Sequence, residues 1–295
     1  MLRTKAWRPS SVRLLDDRDR DEVLALCDRD PVVNVFVGSR VRESGLDPAR
    51  LGGQVWAYST GGRQESRRAE PVRPESLCYM GANLVPIAPT EAAITAFAGR
   101  ARLTGRRCSS IVGDSAAVLR MWELLRPYWG PPREVRASQP VMAVSGPPLV
   151  PPDPLVRRVR PDELRVLLPA SVAMFTEEVG VSPVGADGGT SYRARVNELI
   201  RTGRAFARIE DGKVVFKADI GSVTPYACQV QGVWVTPERR GQGLAQAGMA
   251  AVVTEALRSV APVVSLYVND YNLPARAAYQ RVGFTEVATF ASVLF

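Results

Sequence analysis

Apolar positions recur with two periods along the second half of the chain. Short apolar or alternating runs over Val156–Arg160, Ala205–Glu210, Val214–Ile220, Ala227–Val235, Val263–Val268 and Glu286–Leu294 predict strands. Helical spacing predicts helices from Pro161, over Thr190–Arg201 with a stop at Gly203, over Leu244–Ser259 and over Pro274–Val282. Pro161-Asp-Glu supplies a proline at the first helical position and acidic charge in the first turn. Asp211-Gly212 between two apolar runs predicts a two-residue hairpin. The order is β-α-α-β-β-β-α-β-α-β, an α/β (α+β) class with a mixed sheet and helices on both faces. In the helix after Gly243, residues Ala245, Met249, Val252, Val253 and Ala256 form one stripe, read as core.

The first half carries strands around Gln54–Ser59 and Ser76–Gly81. Between them Thr60–Pro74 is polar, charged and bounded by Gly and Pro, so it predicts a long hairpin loop. Ser145-Gly-Pro-Pro-Leu-Val-Pro-Pro-Asp-Pro154 is the clearest boundary, because its prolines favour an extended spacer. The expected domains are therefore 1–144 and 155–295, with 145–154 as linker. A chain of 295 residues suits two cores better than one.

Composition narrows the chemistry. The chain has no histidine, which removes Ser-His-Asp and Cys-His catalysis and every His-ligated metal site. A general acid or base must be Asp, Glu, Tyr, Cys or Lys. Cys27, Cys78, Cys108 and Cys228 form no Cys-x-x-Cys pair, so no metal site is expected and the thiols read as small buried apolar residues. The net charge of +8 is carried by arginine, since Lys5, Lys213 and Lys217 are the only lysines. These charges are interleaved with acids, as in Asp16-Asp-Arg-Asp-Arg-Asp-Glu22, which reads as a solvated face and does not point to nucleic acid. No run reaches the ~18 apolar residues of a membrane span. The stretch Met1–Arg8 lacks the apolar run of a secretion signal, so the expected location is the cytoplasm, with no membrane partner.

The chemistry concentrates after the strand that ends at Val235. In Val233-Trp-Val-Thr-Pro-Glu-Arg-Arg-Gly-Gln-Gly-Leu-Ala245 a β-rich segment stops at Pro237, and Gly241 and Gly243 open a helix. Glycines let a backbone approach a ligand closely, and the free N–H groups and dipole of a first helical turn favour an anion. Arg240 can add a full charge. The run is not a P-loop, for no Gly-Lys-Ser/Thr follows, nor a dinucleotide fingerprint, for the third glycine is missing.

Arg240-Gly-Gln-Gly-Leu-Ala245 resembles the Arg/Gln-x-x-Gly-x-Gly/Ala signature of the GNAT acetyltransferase superfamily. Asn269-Asp-Tyr-Asn-Leu-Pro-Ala-Arg-Ala-Ala-Tyr-Gln-Arg-Val-Gly-Phe284 resembles the second signature of that family, and Met174-Phe-Thr-Glu-Glu-Val-Gly180 its first-helix region. The resemblance covers nearly all of 155–295. It implies that acetyl-CoA lies where the strands Ala227–Val235 and Val263–Val268 splay apart. The backbone of Val233, Trp234 and Val235 would pair with the pantetheine arm. Arg240, Gly241, Gln242, Gly243, Leu244 and Ala245 would hold the pyrophosphate, with Asn272 beside the pantetheine. Tyr279 matches the family tyrosine near the thioester sulfur and would act as general acid. A backbone N–H on the splayed strand would polarise the thioester carbonyl.

The base departs from the pattern. Many relatives carry a glutamate on the fourth strand, but Cys228-Gln-Val-Gln-Gly-Val-Trp234 offers Gln229 and Gln231, which cannot accept a proton. Glu177 or Glu178, Asp219, or a water chain could serve, and Glu178 is preferred. The loop Ser182–Thr190 is expected to border the acceptor site.

In the first half, Cys108-Ser-Ser-Ile-Val-Gly113 and Ala117–Gly130 echo the strand-helix-Tyr-x-Gly end of the second, and Val12-Arg-Leu-Leu-Asp-Asp17 echoes Val156–Asp162. Met80–Pro89 stands where a cradle would be and lacks the signature. The expectation is a degenerate copy of the fold, as in tandem GNAT proteins such as mycothiol synthases. An unrelated α/β domain is the alternative. The expected activity is acyl-CoA-dependent N-acetyl transfer to a primary amine, on a small molecule, peptide or protein, by direct attack in a ternary complex. The alternative is a non-catalytic acyl-CoA sensor. Neither the acceptor nor the oligomeric state is legible in the sequence.

Overall fold

The computed structural model describes residues 12–59, 73–185 and 187–295. The segment read as lacking a secretion signal, nearly all of the loop expected over 60–74, and Ala186 of the expected acceptor loop lie outside these residues. In chain order the elements are β1 (Val12–Leu14), α1 (Arg20–Cys27), α2 (Val35–Ser44), α3 (Pro48–Leu51), β2 (Gln54–Tyr58), β3 (Ser76–Met80), β4 (Asn83–Ile87), α4 (Glu91–Thr104), β5 (Ser110–Asp114), α5 (Ser115–Trp129) and β6 (Glu134–Val144). There follow β7 (Arg157–Arg158), α6 (Leu164–Val179), α7 (Thr190–Arg201), β8 (Ala205–Glu210), β9 (Lys213–Val223), β10 (Cys228–Val235), α8 (Leu244–Ser259), β11 (Val264–Tyr267), α9 (Leu273–Val282) and β12 (Thr285–Leu294).

Contacts divide the chain into a first unit, Met1–Gln139 with Thr289–Phe295, and a second, Pro140–Ala288. In the first, β1, β2, β3 and β4 pair antiparallel in order, and β4 pairs β5 parallel. In the second, β7, β8, β9 and β10 pair antiparallel in order, and β10 pairs β11 parallel. The two sequences of elements match one for one, apart from the short α3. The last strand of each sheet comes from the far part of the chain: Phe290–Leu294 of β12 lies against β5, and Val141–Val144 of β6 against β11.

The sequence places the domain boundary at 145–154, whereas contacts place it at Gln139/Pro140 and return the last residues to the first unit. The prolines there do not form a spacer. Leu149 N–H donates to the Val282 carbonyl at 2.9 Å, Asp153 N–H donates to the Ala247 carbonyl at 2.9 Å, and the buried Asp153 carboxylate accepts from Arg208 at 2.8 Å. The segment is a strap laid over the second unit.

Each sheet is covered on both faces. In the second unit Phe216, Ala218, Ile220 and Val230 pack with Met249, Val252 and Val253 of α8, while Ala205 and Ala207 pack with Leu167 of α6 and Val196, Leu199 and Ile200 of α7. Asp211 and Gly212 turn the β8–β9 hairpin with φ of 47° and 72°, the positive pair that a tight hairpin needs. All four cysteines are buried and unpaired. Burial pushes the Cys108 thiol up to about 11 and those of Cys27 and Cys228 up to about 12, which keeps them protonated and unreactive.

The entry to α6 is an acid-sensitive joint. Glu163 is 7% exposed and accepts from Arg157 at 2.8 and 2.6 Å and from the Arg160 N–H at 2.8 Å. The Arg157 guanidinium, helped by that N–H, lowers its carboxyl from 4.5 to about 2. A depressed carboxylate contributes stability above its unfolded pKa and loses it as pH falls through the folded value. Glu163→Gln is therefore expected to cost about 2 kcal/mol at neutral pH. In urea unfolding the gap to wild type should close as pH falls from 4.5 toward 2; a gap independent of pH would assign the loss to packing.

Candidate active site

Two neighbouring strands of the second unit part company midway. β10 and β11 pair only at Cys228↔Val264 and Gln229↔Ser265. Beyond that β11 stays with β6 as far as Tyr267↔Val141, while β10 runs on to Val235 along β9. The edge of Val230–Val235 that faced β11 is thus left without a strand among the described residues. The β9 register also skips between Gln231 and Trp234, so Gly232 and Val233 have no Cα partner on either side. Gly232 sits at φ +60°, where glycine is favoured, and the strand bulges there. The sequence carried a signal for this, since an isolated glycine inside a strand pattern marks a bulge.

At the far end of β10 the chain enters a short turn, Pro237–Arg239, and then the glycine run. Gly241 and Gly243 have φ of 75° and 79°. A Cβ on Gly241 would meet nothing within 4 Å, and one on Gly243 only Gln246 Nε2 at 3.7 Å, so the chain leaves their outer side open. Gly243 caps α8 without a side-chain hydrogen bond, and no acid stands in the first turn. The first N–H groups of Leu244 and Ala245 are therefore oriented outward with the helix dipole behind them, a site suited to phosphate. Arg240 does not stand free beside them. Its Nε donates to the Val235 carbonyl at 3.0 Å and its Nη2 to Glu177 at 2.7 Å. Gln242 Oε1 accepts from Arg239 at 3.1 Å.

Tyr279 of α9 is 7% exposed, with its ring 6.0 Å from that of Phe284. Its hydroxyl makes no hydrogen bond to another described residue. Burial and the charge of Glu178 push its phenol far above the usual value of 10, so it holds its proton through the physiological range. Glu178 also acts on Tyr192 of α7; burial first, then Asp219 and Glu178, push that phenol up to about 12. Glu178, Tyr279, Tyr192 and Asp219 thus lie within electrostatic reach of one neighbourhood. Glu177 is committed at both oxygens, to Trp234 Nε1 at 3.2 Å and to Arg240. Asn272 caps α9, its Oδ1 accepting from Ala275 N–H at 3.2 Å. Gln231 is exposed and Gln229 is buried.

The sequence singled out Asp219 but not the lysine that holds it. Lys217 is 0% exposed, and its Nζ donates to Asp219 Oδ2 at 2.6 Å and to the Gly232 carbonyl at 3.0 Å. A Cβ at Gly232 would stand 2.9 Å from Met174 Cε and 3.1 Å from both the Lys217 and Asp219 head groups.

The first unit repeats the gap, but its next helix begins differently. β4 and β5 pair only at Asn83↔Ser110 and Leu84↔Ile111. At the following turn Thr90 caps α4 with its own side chain, accepting from Ala93 N–H at 3.2 Å, and Glu91 puts an acid in the first turn. A filled cap and a carboxylate oppose an anion there.

Residues 182–284 match the acetyltransferase (GNAT) family, and residues 53–167 match a domain of unknown function (DUF4081). No curated protein sequence matches significantly. Solved structures match along both units. A Drosophila protein aligns over 97% of this chain and 99% of its own with a TM-score of 0.63 at 14% identity. A GCN5-related N-acetyltransferase from Sphaerobacter thermophilus aligns over 95% and 93% with a TM-score of 0.61 at 17% identity. A tandem GNAT protein from the clavulanic acid biosynthesis pathway aligns over 96% and 98% with a TM-score of 0.55 at 15% identity. Residues 182–284 accordingly match the acetyltransferase (GNAT) family, and the chain shares its fold along nearly its whole length with solved GNAT proteins.

Proposed function

We propose that the chain is an acyl-CoA-dependent N-acyltransferase that moves acetyl from acetyl-CoA to a primary amine by direct attack in a ternary complex. The observation that carries this reading is the gap between β10 and β11 ending at an open, self-uncapped glycine turn. The residues fit the cofactor. Val233, Trp234 and Val235 offer an unpaired strand edge to an amide-bearing arm, and Gly241, Gln242, Gly243, Leu244 and Ala245 offer backbone N–H groups to a pyrophosphate. Asn272 closes the side toward α9. Arg240, tied to the Val235 carbonyl and paired with Glu177, fixes the turn.

Acetyl-CoA supplies an activated thioester; the residues of the chain supply position and protons. Tyr279 holds a proton at its hydroxyl for the departing thiolate. Glu178, whose charge reaches both Tyr279 and Tyr192, is the carboxylate assigned to take the proton of the amine. The acceptor is an amine of a small molecule, peptide or protein.

Ligand that binds the folded state alone must raise thermal stability, by about 2.7 kcal/mol at a hundredfold excess over Kd. Acetyl-CoA is expected to do so, and the absence of any shift at millimolar concentration would overturn the cofactor assignment. Steady-state CoA release with a panel of amines then separates an enzyme from a sensor: binding without turnover on any amine would favour the sensor.

A further inference from the structure

We infer that Lys217 is a positioning residue for acyl transfer: through the Gly232 carbonyl it polarises the Gly232–Val233 peptide and makes the Val233 N–H the donor that meets the thioester oxygen. The inference rests on the cofactor reading above.

Lys217 and Asp219 alternate along β9 with Phe216, Ala218 and Ile220, so they face the α6–α7 side of the sheet. Lys217 is fully buried there, and two of its three donors are assigned, to Asp219 Oδ2 and to the Gly232 carbonyl. The Gly232 carbonyl satisfies a second donor of the buried ammonium and in doing so places a full positive charge against that peptide. In a trans peptide the C=O and N–H point in opposite directions, and no peptide in the described chain is cis. With the Gly232 oxygen turned to the Lys217 ammonium, the Val233 N–H of the same peptide is directed away from that ammonium. Neither neighbouring strand offers Val233 a Cα register partner at the bulge.

A cation on the carbonyl end of an amide withdraws charge from its N–H, and in a dry environment successive hydrogen bonds strengthen one another. Gly232 makes this possible in two ways. Its positive φ turns the carbonyl out of the ladder, and its lack of a side chain admits Met174, Lys217 and Asp219 into the space a Cβ would take. Asp219 keeps the cation in place and neutral overall. The bulge is thus a device that converts a buried charge into a directed donor.

The test needs no acceptor amine. Replacing a buried ion pair by neutral residues of similar size often leaves stability intact, so Lys217→Met with Asp219→Asn removes the charge. The carbonyl stretch of carbonyl-labelled acetyl-CoA is read by difference infrared spectroscopy on the bound protein. It is expected at lower wavenumber in the wild type than in the double variant, with acetyl-CoA affinity within about twofold, and slow CoA release to water falling roughly tenfold. If the apolar variant does not fold, Lys217→Gln with Asp219→Asn gives the same comparison with hydrogen-bonding side chains. Equal stretches in two folded, liganded proteins overturn the inference. Failure of the wild type to bind acetyl-CoA at all is a different result: it removes the cofactor reading and the inference with it.

Discussion

Gly243→Val is expected to abolish acetyl-CoA binding, with at least a hundredfold loss of affinity and a protein that still folds. A hundredfold is about 2.7 kcal/mol. Two costs act, and they fall on different states. The backbone at φ +79° disfavours a β-branched residue, which should cost the fold about 1–2 kcal/mol. The new methyl groups meet little of the protein, because the nearest heavy atom to a Cβ is Gln246 Nε2 at 3.7 Å. They enter instead the space on the open side of the turn, across the N–H groups of α8. Folding therefore survives while a pyrophosphate loses its approach. Gly105→Val separates the two costs: Gly105 has φ +72° and also open space around a Cβ, but it ends α4 in the other unit. Its ψ of 166° lies in a region more exclusive to glycine than the ψ of 0° at Gly243, so that variant should lose at least as much stability and still bind with unchanged affinity in calorimetric titration. If Gly243→Val binds acetyl-CoA as well as wild type, the glycine turn is not the cradle.

Much of the second unit was legible because its signals are local. Helices α7 and α8 occupy the predicted residues, and the strands agree to within a few positions at their ends. Asp211-Gly212 and Gly241-x-Gly243 carry their backbone requirements in their own residue types. What the sequence hid is non-local. The prolines of 145–154 read as a spacer, because the bonds that tie Leu149 to Val282 and Asp153 to Ala247 and Arg208 reach residues far along the chain. The exchange of terminal strands leaves no trace in the periodicity of either β6 or β12. Arg240 looks like a free cation until Glu177, 63 residues upstream, is seen to hold it. Nothing in the alternation of Lys217 and Asp219 with apolar neighbours marks the pair as buried. They are buried because α6 and α7 cover that face too, and a strand with two covered faces hides its polar residues only if they pair.

Tyr279→Phe is expected to lower turnover about a hundredfold while leaving acetyl-CoA affinity nearly unchanged, since a positioned general acid contributes on that order. The substitution is clean for structural reasons. The hydroxyl has no partner among the described residues, so its loss orphans nothing, and the ring keeps its packing against Phe284. Thermal stability without ligand should stay within about 1 kcal/mol of wild type. The pH dependence carries a second mark. An ordinary tyrosine would begin to lose its proton near 10 and with it the acid function. Burial and the nearby Glu178 raise this phenol well beyond that, so the protonated form persists and wild-type turnover should show no alkaline fall assignable to it up to 10. A fall centred at 10 would mean that the phenol ionises as if exposed and is not the buried group argued for. Unchanged turnover in the phenylalanine variant would remove the acid role altogether. Loss of affinity matching the loss of turnover would move Tyr279 from the chemical step to the binding of the cofactor.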